Sequence, residues 1–396
     1  MRVLMFGWEF PPYNSGGLGT ACKGLAKALA KKGAKIFFVM PRKVDVDADY
    51  LEFIFADKSK HFVVNSLLTP YSSVQSYAER YIEEKTSNSL YGQDLFEEIE
   101  RYARVAESIA SSVDFDVIHA HDWMTFKAAC RAKKVSKKKL VVHVHATEFD
   151  RTGGNGFNAK VYEIEKQGLE EADKVIAVSN YTKRKIIEVY GIPEEKICVA
   201  HNGVEFENVC LERAHKLKEK NKIVLFVGRL TLQKGPDYFI YAAKKVLELK
   251  PNTIFLVAGS GDMECFLINK VAEMGIADRV LFTGFLRGRE LSRAYAMADV
   301  YVMPSVSEPF GISPLEALTH QTPVLISKQS GVSEVLRHCL KADFWDIDEI
   351  ANKIIAMLSF PELGDCMLEN SQEELPKITW EKTAEKCMEV YSSLKW

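Results

Sequence analysis

Short, nearly continuous apolar segments alternate with longer segments of helical period, and this alternation limits the fold of the 396-residue chain most strongly. Strands that are apolar at consecutive positions are buried on both faces, which predicts parallel sheets between layers of helices. Strand–helix–strand alternation predicts right-handed crossovers, and therefore a doubly wound α/β fold. The predicted strands are Val3–Phe6, Lys35–Met40, Val117–Ala120, Leu140–His145, Lys174–Val178, Ile223–Val227, Thr253–Ala258, Val280–Thr283, Val300–Val302 and Val324–Ile326.

The alternation restarts after a charged segment of low apolar content, Asn208–Asn221. Because domains usually contain ~100–200 residues, we expect a first domain over 1–207 and a second over 208–378. The last segment, Trp380–Leu394, predicts a helix with Thr379 as its N-cap. The poorly patterned region Asp45–Leu90 is interpreted as an excursion from the first sheet.

Charge and composition exclude several classes of partner. The net charge of −2 provides no strong field for nucleic acid or an anionic membrane. No apolar segment reaches the ~18–20 residues of a membrane span, and no signal-peptide pattern is visible, so we expect a cytoplasmic protein. The eight cysteines are scattered without a C-x-x-C pair, which argues against a zinc knuckle. The oligomeric state is left open.

Candidate ligand-binding residues follow the strands of the first domain, where open α/β sheets place their ligands. Gly16 and Gly17 lie in a glycine-rich loop before a helix over Leu18–Lys32. Their amides suit a phosphate, although a tight turn explains the loop equally well. At the end of a later strand, we expect His145 to face the ligand. Metal binding by the pair His143 and His145 is the less favoured alternative.

Arg229 and Lys234 follow the first strand of the second domain. A planar guanidinium and a compact ammonium so close together suit a diphosphate, although two solvated loop cations are the simpler alternative.

The segment EPFGISPLE follows the strand Val300–Val302 and contains two carboxylates, Glu308 and Glu316. Ser313 and Pro314 predict a helix start, with Ser313 as the N-cap and Pro314 at the first helical position. Free amides near this start suit a phosphate. The alternatives are a loop surface charge for Glu308 and a carboxylate favoured by the helix dipole for Glu316.

The spacing of Glu308 and Glu316 resembles the E-x7-E signature of retaining glycosyltransferases of family 4, of the glycogen and starch synthase type. Further segments resemble the same family in order: WEFPPYNSGGLG, HAHDW, VHATEFD, VSNYTK, HNGV, FVGRLTLQKG, VAGSGD and LFTGFL. The closing ITWEKTAE resembles the helix that crosses back to the first domain in this family. The resemblance implies a GT-B fold, in which two Rossmann-like domains face a cleft.

The resemblance also implies roles for individual residues. Arg229 and Lys234 would neutralise the leaving diphosphate. Glu308 would bind hydroxyls of the donor sugar, and His145 would contact that sugar near its primary hydroxyl. Asp122 is implied on the acceptor side. The remaining donor-binding positions would hold phosphate, nucleoside and ribose: Gly16, Gly17, Gly311, Ile312, Ser313, Leu315 and Glu316.

The implied reaction is retaining transfer of a hexosyl unit, from UDP-glucose or ADP-glucose, to a sugar or α-glucan acceptor. We expect no cofactor and no metal, because fixed cations and helix N-termini replace the metal in GT-B enzymes. Two D-x-D segments, Asp45–Asp47 and Asp346–Asp348, lack the setting of a metal site. Asn14 stands where glycogen synthases commonly have lysine, which weakens the expectation of ADP-glucose-dependent glycogen synthesis.

Two other functions remain as alternatives. A nicotinamide-dependent oxidoreductase would fit two Rossmann-like sheets, but the G-x-G-x-x-G fingerprint is missing and Gly259-Ser-Gly261 is its nearest equivalent. A non-catalytic carbohydrate-binding protein of the same fold is the second alternative.

Overall fold

The computed structural model describes residues 1–13, 16–46, 48–57, 95–154, 156–205, 218 and 220–394. The chain forms two compact units. The first contains Met1–Glu148, Phe157–Gly203 and Trp380–Trp396; the second contains Phe149–Gly156 and Val204–Thr379. The predicted boundary at residues 207 and 208 lies outside the described residues. Phe149–Gly156 groups with the second unit, which chain order alone does not indicate.

The first unit has a seven-stranded, fully parallel sheet in the order β3-β2-β1-β4-β5-β6-β7. Its strands are β1 (Arg2–Phe6), β2 (Lys35–Met40), β3 (Glu52–Phe55), β4 (Val117–His121), β5 (Lys139–Val144), β6 (Lys174–Ala177) and β7 (Ile197–Val199). The helices from this part of the chain are α1 (Gly17–Lys31), α2 (Leu95–Ser112), α3 (Trp123–Ser136), α4 (Glu148–Arg151), α5 (Ala159–Glu171) and α6 (Asn180–Tyr190).

The second unit has a six-stranded parallel sheet in the order β10-β9-β8-β11-β12-β13. Its strands are β8 (Lys222–Val227), β9 (Thr253–Ala258), β10 (Val280–Gly284), β11 (Val300–Met303), β12 (Val324–Ser327) and β13 (Leu340–Ala342). The helices that follow are α7 (Pro236–Leu249), α8 (Glu264–Glu273), α9 (Gly288–Met297), α10 (Ser313–Thr319), α11 (Ile347–Ser359), α12 (Pro361–Glu374) and, in the first unit, α13 (Trp380–Ser393).

Both sheets reverse their strand order at one point. In the first sheet the reversal lies between β1 and β4, and in the second it lies between β8 and β11. Loops that leave the carboxyl ends of two such strands diverge to opposite faces of the sheet and leave a crevice between them, where doubly wound proteins bind ligands. The loops after β1, β4, β8 and β11 are therefore the places to look for a site.

The doubly wound α/β class is confirmed, and each of the ten predicted strands is present within two residues at either end. The expectation that Asp45–Leu90 leaves the sheet was wrong for its described part, because β3 pairs in parallel with β2. All four residues of β3 are partly exposed, so it lacks the apolar run of a central strand. The three-residue strands β7 and β13 also escaped prediction.

Helix α13 completes the first unit by packing on α1. A Cβ atom at Gly24, in the middle of α1, would lie 2.4 Å from the ring of Trp380, so only glycine permits this approach. Trp380 and Tyr391 on α13 are buried. Two exposed ion pairs lie at the edge of this contact between α1 and α13. Lys31 pairs with Glu381, and Lys32 pairs with Glu385.

Among the described residues, no helix combines the length and the apolar character that crossing a lipid bilayer requires.

Candidate active site

The loops after β8 and β11 meet through one ion pair. Lys234 Nζ lies 2.5 Å from Glu308 Oε2, and the Ser305 hydroxyl donates to the same oxygen at 3.2 Å. The Glu308 side chain is 7% exposed and that of Lys234 is 24% exposed. The structure therefore joins two of the predicted site residues at the point where the second sheet reverses its strand order.

Gly235 permits this contact. It has a φ of +61°, and a Cβ atom there would lie 2.3 Å from the Pro304 carbonyl oxygen. A side chain would thus be strained and would also collide with the backbone just after β11. Lys234 ends a short 3₁₀ turn, Leu232–Lys234, and Gly235 lets the chain enter α7 directly.

Gln233 connects the same two loops and was missed by the sequence reasoning. It is 2% exposed. Its side-chain amide donates to the Ser307 backbone carbonyl at 3.1 Å. Its backbone carbonyl accepts from the Val306 amide at 3.0 Å. Arg229 Nη2 donates to Gln233 Oε1 at 3.3 Å. The only available signal was its position directly before Lys234.

Asp150 is a second buried group that the sequence reasoning missed. Its Oδ1 accepts a hydrogen bond from the Ser307 hydroxyl at 2.6 Å, and both residues belong to the second unit. Because 157 residues separate them, no local pattern indicates the contact. It supports the loop that carries Glu308.

Gly259 and Gly261 serve backbone packing. Cβ atoms there would lie 1.8 Å from the Gly228 carbonyl oxygen and 2.4 Å from the Leu230 carbonyl oxygen. The loop after β9 thus lies directly against the backbone on either side of Arg229. Close packing accounts for these glycines, which were the nearest equivalent of a dinucleotide fingerprint.

The backbone of Glu308 is held like a strand residue. Its amide donates to the Gln329 carbonyl at 3.0 Å, and its carbonyl accepts from the Gly331 amide at 2.9 Å. Gly311, with a φ of +101°, lies close enough that a Cβ would approach Glu308 Cγ to 3.2 Å. Both contacts fix the direction in which the Glu308 carboxylate points.

Helix α10 begins one residue earlier than predicted, because Ser313 is its first residue and Ile312 is the N-cap. Ile312 makes no side-chain capping bond to the helix, and Pro314 lies in the first turn. Glu316 Oε2 accepts from the Tyr295 hydroxyl at 3.0 Å. Leu315 is fully buried.

In the first unit, Gly16 and Gly17 lie at the start of α1. The buried Glu9 carboxylate accepts from the Gly19 amide at 2.9 Å and so satisfies one amide of the first turn. A Cβ at Gly17 would meet no atom within 4 Å, so this position is open. Asn14 lies outside the described residues.

Asp122 and His145 lie together after β4 and β5. Asp122 has a left-handed φ of +58°, which is unusual for a residue with a side chain. Its Oδ1 accepts from the His145 amide at 2.6 Å and from the Ala146 amide at 3.3 Å. Asp122 thus shapes the turn that carries His145, and an acceptor-side role for it stays a prediction.

The His145 ring is buried, and His121 Nδ1 lies 2.9 Å from its Nε2. Burial lowers the pKa of His145 to about 3. The imidazole is therefore neutral at physiological pH, and a direct contact of His145 with a donor sugar stays a prediction.

The D-x-D segment Asp346–Asp348 has structural partners. The Asp346 side chain caps α11 by accepting from the Glu349 amide at 2.8 Å, and Asp348 pairs with Lys245 at 2.6 Å. In the other segment, Asp47 lies outside the described residues.

The chain is similar to known proteins over nearly its whole length. The family model described as Glycosyltransferase Family 4 matches residues 15–208, and the model described as Glycosyl transferases group 1 matches residues 211–374. An uncharacterized glycosyltransferase of Methanocaldococcus jannaschii is 32% identical, over 99% of this chain and 98% of that protein. Glycogen synthase of Mycobacterium tuberculosis is 25% identical, over 100% of this chain and 95% of that protein.

Solved structures share the fold at low sequence identity. Sucrose-phosphate synthase from Thermosynechococcus elongatus superimposes with a TM-score of 0.77 at 19% identity, over 99% of this chain and 98% of that one. Anabaena HepE, solved in complex with UDP and glucose, gives 0.74 at 18% identity over the whole of both chains. The chain therefore belongs to the glycosyltransferases and has the GT-B fold.

Proposed function

We propose that the protein is a retaining glycosyltransferase that moves a hexosyl unit from a nucleoside diphosphate sugar to a sugar or α-glucan acceptor. The observation that carries the proposal is the contact of Lys234 with Glu308, where the second sheet reverses its strand order. We assign the cation of this pair to a diphosphate and its carboxylate to sugar hydroxyls. Arg229 lies on the same loop as Lys234, and its guanidinium donates a hydrogen bond to the Gln233 side chain.

Arg229 and Lys234 are suited to stabilise the negative charge that the reaction creates on the leaving group. Breaking the bond between the sugar and the diphosphate leaves an oxocarbenium-like carbon and extra negative charge on the leaving group. Arg229 and Lys234 are held by protein contacts before a donor binds, so they need little reorganisation to stabilise that charge. We propose that they replace a metal ion in the transfer step.

Glu308 is suited to orienting the sugar. Its Oε2 accepts from Lys234 and from Ser305, which leaves Oε1 for donor-sugar hydroxyls. For the transfer we propose a same-face displacement. The acceptor hydroxyl bonds to the anomeric carbon as the bond to the diphosphate breaks, and the departing phosphate oxygen takes the hydroxyl proton. The anomeric configuration is thereby retained.

Glucose is the proposed sugar, and UDP or ADP the proposed carrier. HepE was solved with UDP and glucose, and the M. tuberculosis relative is a glycogen synthase, which supports a glucosyl donor and a glucan acceptor. His145, neutral in the first unit, is proposed to donate or accept a hydrogen bond at a donor-sugar hydroxyl.

A donor-by-acceptor screen tests the proposal. Purified protein is incubated with UDP- and ADP-hexoses and with monosaccharide and α-glucan acceptors, and products are detected by mass. Proton NMR of a purified product gives its anomeric configuration. We expect one hexose added per transfer, with the configuration of the donor retained, and loss of the product with Glu308→Ala. An inverted product would refute the retaining mechanism.

The alternatives predict different results in the same screen. Tight glucan binding without turnover of any donor would favour the non-catalytic protein. Membership of a glycosyltransferase family argues against the nicotinamide-dependent oxidoreductase, for which NADH binding at micromolar concentration would be the evidence.

A further inference from the structure

Four histidines cover one patch of the first sheet. His119 and His121 alternate along β4, and His143 and His145 continue the same pattern along β5 and just beyond it. Side chains two residues apart point to the same face of a strand, and the register pairs His121 with His143. The rings of His119, His121 and His143 are fully buried.

We propose that His119, His121 and His143 bind one divalent transition-metal ion of the zinc type inside the first unit. This goes beyond the proposed transfer reaction, because the ion would tie β4 to β5 and would take no part in leaving-group stabilisation. Chain spacing alone could not indicate it, since His119 and His143 are 24 residues apart.

The spacing of the ring nitrogens suits such an ion. His119 Nε2 and His143 Nδ1 are 3.3 Å apart. Metal–nitrogen bonds of ~2.0–2.1 Å in a tetrahedral site put two ligand nitrogens ~3.3–3.4 Å apart. One nitrogen from each of the three rings lies within 4.8 Å of the others. Modest ring rotations would close the remaining distance.

An unpartnered nitrogen gives an independent reason for a ligand. His121 Nε2 is buried and has no hydrogen-bond partner among the described residues. Buried polar atoms in native proteins almost always have a protein, water or ion partner. A bound cation would use the lone pair of His121 Nε2 together with those of His119 Nε2 and His143 Nδ1.

The surroundings favour neutral, oriented ligands. Burial lowers the pKa of all three imidazoles, so each has a lone pair available at neutral pH. The hydroxyl oxygen of Tyr391, on α13, lies 2.5 Å from His119 Nδ1. A hydrogen bond at that nitrogen fixes the ring so that Nε2 faces the cluster, as outer partners do for metal-binding histidines.

The ligand set also selects the metal. Three imidazoles suit Zn²⁺, Co²⁺, Ni²⁺ or Cu²⁺, whereas Mg²⁺ and Ca²⁺ require oxygen ligands. Because the rings are buried, we expect the ion to enter during folding rather than by diffusion into the folded unit.

The test uses the full, untagged chain, because a histidine tag would bind the same metals. The protein is refolded with Zn²⁺, Co²⁺, Mg²⁺ or no metal, and dialysed before its metal content is measured by plasma mass spectrometry. We expect about one Zn²⁺ or Co²⁺ per chain, visible d–d absorption from Co²⁺, and a Tm several degrees higher than with Mg²⁺. Dialysed protein without bound Zn²⁺ or Co²⁺ and without a Tm shift would overturn the proposal.

Variants locate the ion. His143→Val and, separately, His121→Val place a β-branched side chain in a buried strand, where it fits well. Each should abolish the Co²⁺ absorption and the metal-dependent Tm shift. His338→Asn, at an exposed histidine, should keep both. Full Co²⁺ binding by either folded valine variant would contradict the site, and if both fail to fold, the wild-type absorption and Tm shift decide.

Discussion

Lys234 is the side chain on which the proposed chemistry depends most. It is partly exposed and already paired with Glu308, so it can reach a ligand without losing its position. Lys234→Ala should lower kcat by ~10²–10³ because a preorganised charge at the leaving group is lost.

The matched control for Lys234→Ala is Lys328→Ala, in the same unit. Lys328 is an exposed lysine that pairs with Asp343. Removing it should leave kcat unchanged. Equal losses in the two variants, measured as nucleoside diphosphate release, would count against a specific role for Lys234.

Gly235 sets the geometry of the Lys234 loop. Gly235→Ala should reduce the free energy of unfolding by at least ~1–3 kcal/mol, because a left-handed backbone and a collision with Pro304 act together. Gly275→Ala is the comparison, since Gly275 has a φ of +67° but open space around it. Urea denaturation of both variants should rank Gly235→Ala as the more damaging; the reverse order would refute the close approach.

Asp173 joins the start of β5 to the end of α3. Its carboxylate accepts from the Leu140 amide at 2.9 Å and pairs with Lys133 and Lys139 at 2.7 and 3.0 Å. Burial alone would raise the pKa of this carboxyl, but the amide and the two ammonium groups hold it below its usual 3.8. Two lysines of the basic segment Lys133–Lys139 thus form structural ion pairs with Asp173.

Asp173→Asn tests this link. A carboxyl whose pKa is lowered on folding stabilises the protein above its unfolded pKa, and the contribution is lost as the pH falls through the folded pKa. We expect Asp173→Asn to cost ~1 kcal/mol at pH 7 and progressively less below pH ~4. Denaturation at several pH values measures the difference, and a cost independent of pH would contradict the assignment.

Central strands were predictable from sequence, whereas three of the four edge strands, β3, β7 and β13, and the long-range contacts were not. β1, β2 and β9 are apolar at nearly every position because both faces are buried, so their period is unmistakable. The edge strand β3 is exposed on part of its surface and was interpreted as an excursion.

Some residues of the candidate site were likewise predictable from sequence, and others were not. Arg229, Lys234 and Glu308 stood out because each follows a recognisable strand. Gln233 and Asp150 did not, since their roles arise from contacts that only the fold creates. The helix start near Ser313 was placed one residue late, because the Ser-Pro pair resembles a capped start while Ile312 is the N-cap here.

The two units of the molecule share one architecture. Each has a parallel sheet whose strand order reverses once. The first unit is completed by α13, which comes from the end of the chain. A chain that ends at Thr379 should therefore lose the ring packed on Gly24 and fold less stably. Circular dichroism melting should show a lower Tm than for Glu385→Gln, which removes only exposed ion pairs with Lys32 and Lys382. An unchanged Tm in the truncated chain would show that α13 is dispensable.

Isothermal titration of UDP and ADP into the wild-type protein and into the Arg229→Ala/Lys234→Ala double variant tests the central claim most directly. The account predicts that the wild-type protein binds at least one of the two nucleotides, and that losing both cations weakens this binding by ~100-fold or more, since charge-assisted bonds to phosphate contribute ~1.5–3 kcal/mol each. Uridine and adenosine, which lack phosphates, should bind the two proteins equally. Equal nucleotide affinity in both proteins would contradict the account.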